Sequence, residues 1–182
     1  STLFPYTTLF RSVHALAAIS LIWENLEKAV SAPHDMGARE NMMLGSLQAG
    51  LAFSNASLGA VHAMAHSLGG FLDLPHGECN ALLLEHVIRF NYREASDRYA
   101  RIGAAMGLDL RGLGERERGQ RVLDAVAGLR QRCGITGALG TRGVSSSDIP
   151  ELAYHAARDA CIVTNPRIAL EDDLKAIYAD AI

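Results

Sequence analysis

The feature that most restricts how this chain can fold is the stretch 58–72, which is rich in Ala and Gly and contains no Asp, Glu, Lys or Arg. It is too short to cross a bilayer. It is also too apolar to face water along its whole length, so it predicts a buried helix around which the other elements pack. Asp73, Pro75 and Gly77 punctuate a turn after it, and a second apolar helix is expected over 80–90.

The rest of the chain carries the same period. Leu16, Ile19, Ile22, Trp23, Leu26 and Val30 recur at three and four, forming one stripe of a helix that begins near Val13 and ends at Pro33. A helix over 36–55 is expected to pack through Met43, Leu47, Ala49, Gly50, Leu51 and Phe53, with a break at Asn55, Ser57 and Gly59. Further helices are predicted over 96–106, 115–133, 148–159 and 171–181. Ser145, Ser146, Ser147 and Asp148 are N-cap candidates, and Glu171–Asp173 places acid where the helix dipole favours it. Residues 107–119 read as an exposed, Gly- and charge-rich loop, and the mixed charges of 115–121 as a solvated helix face. No stretch alternates with period two, so the fold class is all-α, a multi-helix bundle.

Composition excludes several partners. With 49% apolar and 20% charged residues the chain is globular, and a net charge of -3 provides no footprint for nucleic acid. No apolar run reaches membrane-spanning length, so no membrane is implied. Cys79, Cys133 and Cys161 are odd in number and far apart, which fits neither a disulfide framework nor a structural zinc site and suits a reducing cytoplasm. Residues 2–12, TLFPYTTLFRS, match one reading frame of a common sequencing-adapter oligonucleotide. We therefore treat 1–12 as a non-native segment and expect the native protein to begin upstream of Val13.

Chemistry concentrates in the charge-free stretch and its turn. His62 and His66 lie one helical turn apart on the same face, and His76 follows the Pro75 bend and can fold back on them. Imidazoles at this spacing can converge on one divalent ion such as zinc or iron, or can be core residues satisfied by hydrogen bonds. Burying three of them without a partner would be costly. Pro75 and Gly77 are expected to set the turn that aims His76. His34, His86 and His155 have no partner spacing and read as surface or core residues.

The segment 52–84, AFSNASLGAVHAMAHSLGGFLDLPHGECNALLL, resembles the signature of iron-containing (group III) alcohol dehydrogenases. Asp159-Ala-Cys-Ile-Val-Thr-Asn-Pro-Arg167 is similar to that family's closing motif, and the resemblance covers 13–182. It implies the helical, metal-binding domain of the dehydroquinate synthase-like fold, with a nucleotide-binding domain expected upstream. His62 and His76 match two of the family's four metal ligands. The other two, an Asp and a His four residues later, are expected before Val13; His14 falls after that position and is read as structural. His66 matches a position beside the metal, suited to meeting the nicotinamide or relaying a proton. Phe53 and Cys161 match positions that line the substrate pocket.

The implied activity is reversible hydride transfer between primary alcohols or polyols and aldehydes or ketones, with Fe(II) or Zn(II) and with NAD or NADP bound mainly by the upstream domain. The implied full-length form is a homo-oligomer. This chain alone, with two of four ligands and no Gly-rich phosphate turn, is expected neither to bind dinucleotide tightly nor to turn over. Three other readings stand beside this one: an alcohol-dehydrogenase-like regulatory protein of a two-component system, a helical metal-binding module without redox chemistry, and a structural bundle with hydrogen-bonded core histidines.

Overall fold

A computed structural model describes residues 5–182, with side chains from Arg11 onward. Residues 2–4 of the adapter-like segment therefore lie outside the described residues, while 5–12 continue into the first helix. Every regular element among the described residues is helical. The all-α expectation holds.

The chain forms two compact units, one of residues up to Ser57 with Ser96–Ala125, the other of Leu58–Ala95 with Val126–Ile182. In the first, α1 (Pro5–Ser31) and α2 (Met36–Phe53) make a helical hairpin. The turn is fixed by Asp35, whose carboxylate accepts from the Ala38 N–H at 2.8 Å and pairs with Lys28 at 2.8 Å. That carboxylate is held below its ordinary range, first by the Lys28 hydrogen bond. Close packing runs through Ala38, Gly45 and Ala52, and a Cβ added at Gly45 would stand 2.9 Å from Ile22 Cγ1. The expected packing residues Met43, Leu47, Leu51 and Phe53 are instead exposed. Backbone approach along the small residues decides the buried face, and the larger side chains are turned outward. His14 meets Gln48 of α2. α5 (Ser96–Ala105) is tied to α1 by the Ser20 hydroxyl, which donates to the Ala105 carbonyl at 2.8 Å. The unit boundary falls within α6 (Glu115–Arg132).

The second unit packs α3 (Ala60–Leu72) against α4 (His76–Asn91) and α7 (Ile149–Ala156), with α8 (Glu171–Ala181) lying on α4 and α7. Met64, Leu68, Cys79, Leu83, Leu139, Leu152, Leu174 and Tyr178 form its buried centre. The Tyr178 hydroxyl donates to the Met64 carbonyl at 2.7 Å, bolting α8 to the middle of α3. Burial pushes the phenol far above its ordinary range, so it remains a donor.

Around the histidine-bearing unit the details differ from the sequence reading, and α1 begins at Pro5 rather than near Val13. α4 starts at His76 rather than residue 80, because the Pro75 carbonyl takes the Glu78 and Cys79 N–H groups and Pro is suited to a helix start. α7 ends at Ala156, and the chain continues through a 3-10 turn at Ala160–Thr164. Asp148 does not cap α7 with its side chain; its carboxylate turns back to accept from the Ser145 N–H and hydroxyl at 2.8 and 2.7 Å.

Candidate metal centre

α3 is buried on one side only. Ala60, Ala63, Met64, Ala65 and Leu68 face the core, while His62 is half-buried and His66 and Phe71 are exposed. The charge-free stretch therefore buries one face of the helix and presents its histidines on the other. At its end Asp73 takes a left-handed conformation, φ 54°, with its N–H on the Gly69 carbonyl, and the chain reverses through Leu74 and Pro75. Gly77 is not part of this turn. It sits in the first turn of α4 with nothing within 4 Å of an added Cβ, leaving the surface beside His76 bare.

The reversal sets the first residue of α4 over the histidine face of α3. Ring centroids are 5.4 Å apart for His62 and His76, 5.2 Å for His66 and His76, and 6.2 Å for His62 and His66. Two imidazoles holding one ion at about 2.0–2.1 Å from each nitrogen have centroids roughly 5 Å apart. His62 and His76 fit that separation. Burial pushes the His62 imidazole below its ordinary value, His76 and His66 push the same way, and Asp159 opposes them. His62 therefore keeps a lone pair for a ligand at neutral pH. The Asn80 side-chain amide reaches both His76 Nε2 and the His76 carbonyl at 3.0 Å, and its own Oδ1 is buried without a partner. An ion at Nε2 would replace the first of these contacts. This nitrogen-rich pair suits a borderline divalent ion such as Fe(II) or Zn(II).

Asp159 is the residue that sequence reasoning missed. Its Oδ2 lies 2.8 Å from His66 Nδ1, and its Oδ1 accepts from the Cys161 N–H at 2.7 Å. Burial raises its pKa, but hydrogen bonds from the Cys161 N–H, His66 and the Cys161 thiol outweigh that, and the net shift is downward. The Cys161 thiol is pushed up by burial and by Asp159. His66, Asp159 and Cys161 bring their donor atoms within 4.8 Å of one another, close enough for a metal. We read the trio as a hydrogen-bonded unit, since a soft ion needs the thiolate that this environment disfavours. A cleft of about 520 Å³ opens beside it, lined by His66, Phe71, Glu151, Leu152, His155 and Asp159.

The closing motif also anchors the helix that carries the histidines. Gly59 offers α3 no side-chain cap, and Asn165 supplies one from across the fold: its Oδ1 accepts from the Ala60 N–H at 3.1 Å. Asn165 exchanges two further hydrogen bonds with the buried Asn91, 3.0 and 2.7 Å, and donates to the Arg167 carbonyl at 2.6 Å. Arg167 stacks over Phe90, 3.9 Å to the ring centroid, and donates to the Phe90 carbonyl at 3.2 Å. Thus the segment that presents Asp159 also holds the start of α3.

Of the residues singled out from sequence, His62, His66, His76 and Cys161 all belong to the second unit, and the three imidazoles come together. Phe53 closes α2 in the first unit and is 48% exposed. His86, read from sequence as a surface or core residue without partner spacing, lies 2.8 Å from Asp180 and 3.6 Å from Glu85. His155 stands 4.0 Å from Glu151. These pairings join residues whose sequence separation gave no signal, except the i,i+4 pair Glu151 and His155.

The described residues thus form helices alone and bring three imidazoles together on one face of the second unit. The chain belongs to the Fe-containing alcohol dehydrogenase family, whose C-terminal part it matches over residues 6–182. It is 42% identical over 167 residues to 1,3-propanediol dehydrogenase of Klebsiella pneumoniae, covering 92% of this chain and 43% of that protein. To lactaldehyde reductase of Escherichia coli (strain K12) it is 40% identical over 166 residues, 91% of this chain and 43% of the relative. The crystal structure of a 1,3-propanediol oxidoreductase superposes with a TM-score of 0.92 at 40% identity, over 94% of this chain and 45% of that one. The chain thus spans less than half the length of these relatives. No described helix is long and apolar enough to cross a membrane.

Proposed function

We propose that this chain is the helical half of an NAD(P)-dependent, metal-dependent dehydrogenase that interconverts small alcohols or diols with aldehydes or ketones. The observation that carries the reading is the convergence of His62 and His76, 5.4 Å between centroids, on a face that also bears His66. His62 and His76 would hold Fe(II) or Zn(II) together with ligands supplied by upstream sequence. When bound, the ion supplies Lewis acidity at the substrate oxygen. The rest falls to this chain's own groups. His66 exchanges the hydroxyl proton, and the α3–α4 hairpin holds the imidazoles at fixed separation, while Phe53 and Cys161 are each kept as substrate-pocket residues on the family resemblance. His66 would also meet the nicotinamide. The names of the relatives, acting on propanediol and lactaldehyde, support small hydroxylated substrates for this chain as well.

On the adapter-like wording of residues 2–12 we take 13–182 as the native domain and 1–12 as foreign to it, the family match itself beginning at residue 6. For the full-length protein we propose a homo-oligomer in the cytoplasm. The isolated chain is proposed to be inactive. The test is alcohol-dependent reduction of NAD or NADP by the Fe(II)-loaded full-length protein across primary alcohols and diols. Turnover that disappears in His62→Ala and His76→Ala is expected. No turnover on any of them with either dinucleotide would overturn the proposal.

A further inference from the structure

We infer that Asp159 is a positioning residue that fixes His66 as its Nδ1–H tautomer and thereby reserves the Nε2 lone pair for accepting the substrate proton. The inference rests on the proposed function, but its first test does not.

An ionised carboxylate only accepts hydrogen bonds, so the nitrogen facing it must carry the hydrogen. The Asp159 Oδ2 lies 2.8 Å from His66 Nδ1. A neutral imidazole has one N–H, so placing it on Nδ1 leaves Nε2 as the acceptor. The choice between two nearly equivalent tautomers is thus made from outside the ring.

The carboxylate is itself immobilised. Its other oxygen accepts from the Cys161 N–H at 2.7 Å as the cap of the 3-10 turn Ala160–Thr164. That turn is tied to α3, because Asn165, the residue after it, bonds the Ala60 N–H. Donor and acceptor therefore sit on elements locked to each other at a second point. His66 is additionally stacked on His76, 5.2 Å between centroids with 25° between planes, which restricts ring rotation. The downward shift of the Asp159 pKa agrees with a group that stays an acceptor.

A purely stabilising role explains the pair poorly. The His66 and Asp159 side chains are 42% and 22% accessible, and open ion pairs contribute little to stability. Positioning uses the pair fully. When the alcohol is oxidised its O–H bond breaks and the proton goes to Nε2, while the C–H bond breaks and its electron pair leaves as hydride to the oxidised nicotinamide, which is reduced. With the opposite tautomer Nε2 carries a hydrogen and cannot take that proton.

The experiment is histidine-selective 15N NMR on this chain at about pH 8.5, well above the ordinary imidazole pKa of about 6.5. His66→Gln provides the assignment. Wild-type protein should show His66 protonated at Nδ1. Asp159→Asn should shift the population toward the Nε2–H form, and Asp159→Glu should restore the original. An Nε2–H tautomer in the wild type overturns the inference, and so does an unchanged Nδ1–H tautomer in folded Asp159→Asn and Asp159→Ala. If neither variant folds, the wild-type spectrum still decides. A thiolate-to-metal absorption band on Co(II) addition, lost in Cys161→Ser, would also overturn it, because the trio would then be a metal site. The tautomer is read without metal, dinucleotide or turnover, so its failure is distinct from failure of the dehydrogenase reading. In the loaded full-length enzyme, Asp159→Asn should lower kcat by about ten- to a hundredfold with KM little changed, a fraction of the 10²–10⁴ that a general base contributes.

Discussion

Replacing Asn165 with Ala removes the only side-chain cap seen on α3 and strands Asn91, which is 4% exposed. Loss of an N-terminal helix cap costs ~1 kcal/mol. A buried amide left without its partner costs about 1–3 kcal/mol more. The expected total is therefore about 2–4 kcal/mol, and at roughly 2–4 °C per kcal/mol for a chain of this size Tm should fall by about 4–16 °C. Thermal and urea unfolding of Asn165→Ala, Asn91→Ala and the double variant measure it. Because the stranded amide exists only when one partner remains, the double variant should cost less than the sum of the singles. A loss below about 1 kcal/mol, or strict additivity, would refute the view that this amide pair anchors the histidine helix.

Other perturbations follow from the same packing and charges. Tyr178→Phe removes the hydroxyl bound to the Met64 carbonyl and should lower stability by about 1 kcal/mol in denaturant titration. Gly45→Val should destabilise by about 1–3 kcal/mol through overlap with Ile22, whereas Gly50→Ala, which meets nothing within 4 Å, should stabilise by up to about 1 kcal/mol. Asp180 sits with Glu85, His86 and Arg89, and its pKa is lowered first by the His86 hydrogen bond. A depressed carboxylate contributes stability that is complete above its unfolded value of 3.8 and is lost as pH falls through the lower folded value. Asp180→Asn should therefore flatten the acid limb of the stability profile in urea unfolding measured from about pH 2 to 5.

What could be read in the letters was local. The helices follow from apolar recurrence and from Pro33 and Pro75, and His62 with His66 follows from the 3.6-residue period. The outcome at α2 shows the limit of that logic. Periodicity marked Met43 and Leu47 as apolar, but the steric fit of Gly45 against Ile22 chose the contact face. Likewise, nothing near Asp159 points to a histidine 93 residues earlier, nor near Asn165 to an N–H 105 residues earlier. Those contacts come from tertiary closure of α3, α4 and the closing motif, which no local pattern encodes. The His76 ring was placed by the bend as expected, yet on a helix rather than a loop, because the Pro75 carbonyl starts α4 early.

His62 and His76 are proposed to share one divalent ion. Calorimetric titration of this chain with Zn(II) at neutral pH tests it most directly, using wild type, His62→Ala, His76→Ala and His86→Ala. Weak one-to-one binding is expected in the wild type, lost in either of the first two variants and retained in the third. Binding unaffected by both His62→Ala and His76→Ala would contradict it.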